Sequence, residues 1–179
     1  MVSPEPGSAY TFLTGGARSG KSSLAVRLAT ASQRDVMFLA TAEPLDDEMA
    51  ERIALHQHER PDGWVTVEVP RMLVDAVHRC PAGCFVIVDC LSLWVSNLFL
   101  DGGNDIESQA HDLRSALSLR GSPAVVVTNE VGLGIVPGNA MARGYRDVLG
   151  RVNAIIASHA ANAYLVVAGR TLALERPPV

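Results

Sequence analysis

The stretch Thr14-Gly15-Gly16-Ala17-Arg18-Ser19-Gly20-Lys21-Ser22 constrains this chain more than any other. Gly15, four intervening residues, then Gly20, Lys21 and Ser22 fit a phosphate-binding loop. A polyphosphate is dense negative charge and needs many donors at short range. Glycines let backbone N–H groups turn inward and approach the oxygens closely. Lys21 adds a mobile positive charge for the outer phosphates, and the Ser22 hydroxyl is placed to ligate Mg²⁺. The flanks agree with the motif. Ala9-Tyr10-Thr11-Phe12-Leu13-Thr14 is a short β-prone run before it. Ser22-Ser23-Leu24-Ala25-Val26-Arg27-Leu28-Ala29 follows, with Leu24, Ala25 and Leu28 spaced for a packed helix. The helix N-terminus then points at the phosphates, and its dipole helps to hold them.

The rest of the chain alternates apolar β-type runs with helical ones. Strands are expected at Val36-Met37-Phe38-Leu39-Ala40, Trp64-Val65-Thr66-Val67-Glu68, Cys84-Phe85-Val86-Ile87-Val88, Ala124-Val125-Val126-Val127 and residues 163–167, with a last edge strand at 171–175. Helices are expected at 46–59, with Asp46 or Asp47 as cap, and at 72–79, 91–100, 106–119 and 140–160. Strands that are apolar throughout and alternate with helices indicate a mostly parallel sheet with helices on both faces. The fold class expected is therefore α/β, a P-loop NTPase-type three-layer fold. In such sheets ligands sit at the carboxyl ends of the strands. The polar residues gather there: Gly15 to Ser22, Thr41 and Glu43, Asp89, Asn129 and Glu130.

A length of 179 residues suits one domain, 1–179, with residues 1–8 as a loose leader. The formal net charge of −4, without a Lys/Arg block, argues against nucleic acid and anionic membranes as partners. No apolar run approaches a membrane span, and the first residues lack a signal peptide's basic and apolar regions. Three cysteines, Cys80, Cys84 and Cys90, fit free thiols in a reducing cytoplasm. Cys80-Pro81-Ala82-Gly83-Cys84 reads as a turn rather than a metal clip, since its spacing is wide and no second ligand pair follows.

Asp89 follows four apolar β-type residues, the setting of a carboxylate that holds Mg²⁺ together with the loop hydroxyl. The other reading is a cap for the helix at Leu91. On helix 46–59, Leu45, Met49 and Ile53 form an apolar stripe. Continued, the stripe meets His56 and Arg60, with Arg52 at its edge, so a packed face turns basic at its C-terminal end. Anionic phosphate is one reason for inward basic groups. His58 falls off the stripe. Imidazole can attack phosphorus, although spacing alone favours a satisfied helix histidine at His56. The loop at 129–137, Asn-Glu-Val-Gly-Leu-Gly-Ile-Val-Pro, is too apolar for a plain solvated turn; a functional loop and a packing loop stand equal. Arg143, Arg146 and Arg151 pair with acids such as Asp147 or bind phosphate, at least one by surface pairing.

These residues together resemble the bifunctional adenosylcobinamide kinase/adenosylcobinamide-phosphate guanylyltransferase family of cobalamin biosynthesis. The matching stretches are 15–22, Ala40-Thr41-Ala42, 45–49, Arg52-Ile53-Ala54-Leu55-His56 with Arg60-Pro61 and Trp64, 89–98, 128–137, and Ala142-Arg143 to Asn153. The P-loop alone is unspecific; the arginine–histidine helix and loop 129–137 make the likeness specific. The resemblance implies two reactions at one site. The terminal phosphate of ATP or GTP passes to the aminopropanol hydroxyl of adenosylcobinamide. A histidine then attacks the α-phosphate of GTP, and GMP passes to adenosylcobinamide-phosphate to give adenosylcobinamide-GDP. The family's guanylylated histidine matches His56, with Lys21 as the other catalytic group. Its nucleotide contacts match Gly15, Gly16, Ala17, Arg18, Ser19, Gly20, Lys21, Ser22, Thr41, Ala42, Glu43, Gln57, His58, Glu59, Arg60, Glu68 and Asp89. The resemblance also implies a homo-oligomer, a trimer. Two competing readings are a P-loop kinase of another small molecule, without a covalent intermediate, and a nucleotide-dependent switch whose output is partner binding.

Overall fold

A computed structural model describes residues 10–176 except Leu45, Glu59 and Asn104, together with Pro178; the side chains of Glu48, Arg52, His56 and His58 lie outside the described residues, as does the leader. In chain order the elements are β1 (Tyr10–Thr14), α1 (Lys21–Ala31), β2 (Val36–Ala40), α2 (Asp47–His58), β3 (Val65–Glu68), α3 (Leu73–Arg79), β4 (Phe85–Asp89), α4 (Leu91–Leu100), α5 (Ile106–Leu119), β5 (Ala124–Val127), α6 (Ala140–Ala157), β6 (Asn162–Val167) and β7 (Arg170–Ala173). The expected strands and helices are all present. Asp46 is the residue that caps α2: its carboxylate accepts from the Met49 amide at 2.7 Å.

The strands form one sheet in the order β3-β2-β4-β5-β1-β6-β7. Every pairing is parallel except β6 with β7, which is antiparallel. The last edge strand is thus a hairpin return across Ala168-Gly169, where both residues take positive φ.

Alternation along the strands divides the core in two. Phe12, Leu39, Val86, Val88 and Val126 face a large cluster that includes Leu73 and Val77 of α3, Trp94 of α4, Leu113 and Leu117 of α5, and Leu149, Val152 and Ile156 of α6. Leu13, Phe38, Ile87, Val125 and Val127 face a smaller cluster closed by Ala25 and Ala29 of α1. Helix α2 contributes no described residue to either cluster. Of the expected stripe, Leu45 lies outside the described residues, and Met49 and Ile53 border a cavity rather than the core.

Trp94 anchors α4. Its ring is fully buried, and its indole Nε1 donates to the Arg71 carbonyl at 2.8 Å. Nearby, Asn97 Nδ2 donates to the Thr41 and Pro70 carbonyls. Two polar groups thus fix the connections after β2 and β3, which border the site. Trp94→Ala is expected to cost about 3–5 kcal/mol of stability, with Trp94→Phe costing less, read as the shift in denaturant midpoint.

Candidate active site

The loop between β1 and α1 wraps around the Lys21 ammonium. Nζ donates to the Gly15 carbonyl at 2.9 Å, to the Gly16 carbonyl at 2.6 Å and to Ser19 Oγ at 3.3 Å. Burial pulls this ammonium below its ordinary range, while Cys90 and Asp89 oppose the shift. Gly15 is required by close approach: a Cβ there would stand 2.2 Å from the Val166 carbonyl oxygen of β6. Gly20 caps α1 at φ +100°, a conformation side chains avoid, and Gly169 packs against it. The Gly169 amide donates to the Ser19 carbonyl at 2.9 Å, so the β6–β7 turn braces the loop.

Beside the loop opens a cavity of about 700 Å³. Ala17, Arg18, Ser19, Gly20, Lys21 and Ser22 line it from the loop, Asp89 and Cys90 from the end of β4, and Ala42 and Pro44 from the end of β2. Met49, Ile53 and Gln57 of α2 line it with Arg60 and Glu68. Ser22 Oγ donates to Asp89 Oδ1 at 3.4 Å. A hydroxyl and a carboxylate converge at the mouth of the loop, a donor set that suits Mg²⁺. The expected role of Asp89 as more than a helix cap fits this placement. Among the described residues, no three His, Cys, Asp or Glu side chains cluster as a metal site.

Arg60 carries the basic end of the α2 region into the cavity. Its guanidinium stacks 3.8 Å over the Phe38 ring, and Nη1 donates to Thr66 Oγ1 at 3.0 Å. Among the described residues its Nε is buried without a hydrogen-bond partner. Burial lowers its pKa, against the pull of Asp89 and Glu68. An anion in the cavity would satisfy a charge placed this way.

Other residues named from the sequence fall as follows. Gly15 and Gly16 act through their carbonyls on Lys21. Thr41 is fully buried behind the cavity, where Oγ1 donates to the Cys90 carbonyl at 2.6 Å. Glu43 does not line the cavity: its carboxylate takes Arg71 Nη1 at 2.6 Å, and the same guanidinium holds Asp101. Pairing with two carboxylates raises the Arg71 pKa and depresses that of Asp101. Residue 56 lies in the last turns of α2, the helix whose Met49, Ile53 and Gln57 border the cavity; the side chains of His56 and His58, and Glu59 entirely, lie outside the described residues. Arg146 pairs with Asp147 at 2.9 Å and Arg151 with Glu107 at 2.7 Å. Arg143 instead donates to the Pro137 and Gly138 carbonyls, holding the end of loop 129–137. That loop does not pack: Leu133 and Ile135 are 83% and 98% exposed.

Cys90, Leu93, Val127 and Asn129 also line the cavity, and no motif marks the first three. Asn129 stood among the polar residues at strand ends. What places it in the wall is strand order, which no local pattern carries.

Comparison with known proteins agrees with this geometry. Residues 11–174 match the model of the family described as cobinamide kinase / cobinamide phosphate guanyltransferase. The chain is 40% identical over 173 residues to the bifunctional adenosylcobalamin biosynthesis protein CobU of Escherichia coli K12, covering 88% of this chain and 95% of that protein. It is 38% identical over 170 residues to the CobP protein of Pseudomonas aeruginosa PAO1, covering 94% and 98%. Among solved structures it resembles the RadB recombinase at a TM-score of 0.52 and 14% identity, covering 88% of this chain and 74% of that one. An ATPase of a type III secretion system gives 0.51 and 14%, covering 88% and 51%. Those two likenesses concern the fold alone, which is a P-loop α/β fold. The chain belongs to the cobinamide kinase / cobinamide phosphate guanyltransferase family.

Proposed function

We propose that this protein carries out both reactions of its family: phosphorylation of adenosylcobinamide from ATP or GTP, then transfer of GMP from GTP to adenosylcobinamide-phosphate. The observation that supports this most is the cavity where the P-loop, Asp89 and helix α2 meet. The P-loop and Lys21 receive the phosphates. Ser22 and Asp89 would hold Mg²⁺, which supplies charge neutralisation on the phosphate oxygens when bound. Arg18, Gln57, Arg60 and Glu68 line the remainder of the nucleotide's space.

Lys21 supplies positive charge that stabilises the phosphate oxygens in the transition state of either reaction. His56, on α2, is the nucleophile for guanylyl transfer in this reading. The acceptor in each reaction is the corrinoid, whose bulk exceeds a nucleotide's. A homo-oligomer, a trimer, and a cytoplasmic location belong to the same proposal; the exposed Leu133, Ile135 and Val136 offer apolar surface for assembly or acceptor. No described helix is long and apolar enough to cross a membrane. A small-molecule kinase without a covalent intermediate and a nucleotide switch remain the contrasting readings, and the experiments below separate them.

Lys21→Ala is expected to depress kinase and guanylyl transfer together, by about 100-fold or more. Near-native activity in either assay would contradict a shared site. Chelation is expected to stop both reactions and added Mg²⁺ to restore them, with rate recovery as the measurement.

Enzyme incubated with GTP labelled on the α-phosphate is expected to retain label through denaturing electrophoresis. A phosphoramidate at a histidine is acid-labile and survives alkali, so the label should show that stability. His56→Asn should abolish the label and guanylyl transfer while leaving much of the kinase step. His58→Asn should do neither. Label that persists in the His56 variant and vanishes in the His58 variant would reassign the nucleophile; no label in wild-type enzyme would favour the simpler kinase.

A further inference from the structure

Strand β5 lies between β1, which feeds the P-loop, and β4, which ends on Asp89. All three run parallel, with Val127 level with both Leu13 and Asp89. The first polar side chains beyond β5 therefore emerge between the loop and the carboxylate. Thr128 turns away and is fully buried; Asn129 lines the cavity.

Asn129 is held by both its side chain and its backbone. Its Nδ2 donates to Ser92 Oγ at 3.0 Å. Its carbonyl accepts from Asn153 Nδ2 at 3.1 Å, and Asn153 Oδ1 accepts from Thr128 Oγ1 at 2.8 Å. Ser92 and Asn153 are both buried, and the Ser92 carbonyl takes the Tyr145 hydroxyl at 3.0 Å. Burying several polar groups costs free energy unless each is satisfied, and satisfied networks fix one orientation. Here they fix the carboxamide. One N–H is committed to Ser92, while the second N–H and Oδ1 take no part in the hydrogen bonds among the described residues. A carboxylate at this place would stand beside Asp89 and repel phosphate; an amide offers a donor without charge.

We propose that Asn129 is a specificity residue that reads the terminal phosphate of a bound nucleoside triphosphate, its free N–H donating to an oxygen of that group. Lys21, Ser22 and Asp89 mark where the phosphate tail lies, and Asn129 faces them from the next strand. The second and first phosphates lie nearer the loop amides and are out of its concern. Asn129 thus separates a triphosphate from a diphosphate, which is the distinction a phosphoryl donor site must make. This rests on the nucleotide-site reading given above.

The test is calorimetric titration of GDP and of the β,γ-imido analogue of GTP, each with Mg²⁺, into wild-type, Asn129→Ala and Asn129→Asp proteins. Thermal unfolding of each variant is followed in parallel. Wild type is expected to prefer the triphosphate. Asn129→Ala should weaken triphosphate binding about tenfold while GDP stays within about twofold. Asn129→Asp is nearly isosteric and should weaken it further by repulsion. Equal weakening of both nucleotides, or no change in either variant, overturns the role of Asn129 while leaving the nucleotide site intact. Wild-type protein that binds neither nucleotide overturns the site reading and this proposal with it.

Discussion

A buried ammonium is the constraint on which the site depends. Lys21 sits at the first turn of α1 with 6% of its surface exposed, and carbonyls of its own loop hold it there. Taking a charge from water is costly unless dipoles or opposite charge replace the lost hydration. The Gly15 and Gly16 carbonyls do so only in part, which is why burial depresses the pKa. A phosphate tail would complete the compensation. The loop is therefore built to gain more from an anion than an exposed lysine could. The glycines follow from the same need, since a side chain at Gly15 would collide with β6.

Strand order converts that loop into a site. The P-loop strand and the Asp89 strand are not neighbours; β5 separates them. One strand spacing is about 4.8 Å, so two spacings set Asp89 and the loop roughly 10 Å apart at their bases. That gap is wide enough for phosphates and narrow enough for Ser22 to reach Asp89 across it, as it does at 3.4 Å. The intervening strand must then end in residues compatible with phosphate. A neutral amide meets that requirement, and the buried Ser92–Asn153 network shows what holding it in place takes.

Much of this was legible in the residues themselves. Apolar runs gave the strands, Gly and Lys spacing gave the loop, and the acid after Phe85-Val86-Ile87-Val88 marked the second side of the cavity. The order of strands was not legible, because parallel partners lie far apart in sequence and any apolar run can pair with any other. Asn129 was legible as a polar residue at a strand's carboxyl end, but its place between the loop and Asp89 was not. The ion pair of Glu43 was not legible either: its partner Arg71 is 28 residues away, and an ion pair at 2.6 Å leaves no local trace. Loop 129–137 left two readings open, and its exposed Leu133 and Ile135 remove the packing one within this chain.

Helix α2 shows how an apolar stripe can face inward without joining the hydrophobic core. Its apolar spacing predicts an inward stripe, and the described members, Met49 and Ile53, are half-buried. None of its described residues joins either core cluster, and β3, the strand that follows it in the chain, is an edge strand with its residues exposed throughout. Met49 and Ile53 cover the nucleotide cavity instead. Apolar burial contributes about 25 cal/mol per Å², so a helix with few core contacts is held by correspondingly little. What fills the cavity then decides much of the area this helix buries. The two reactions proposed above would bring different phosphates to one loop, and a lightly packed wall suits a cavity whose occupant changes. The core helices α4, α5 and α6, with Trp94, Leu113 and Leu149 fully buried, cannot supply it. Of the helices that border the cavity, α2 is the one with no described residue in either core cluster.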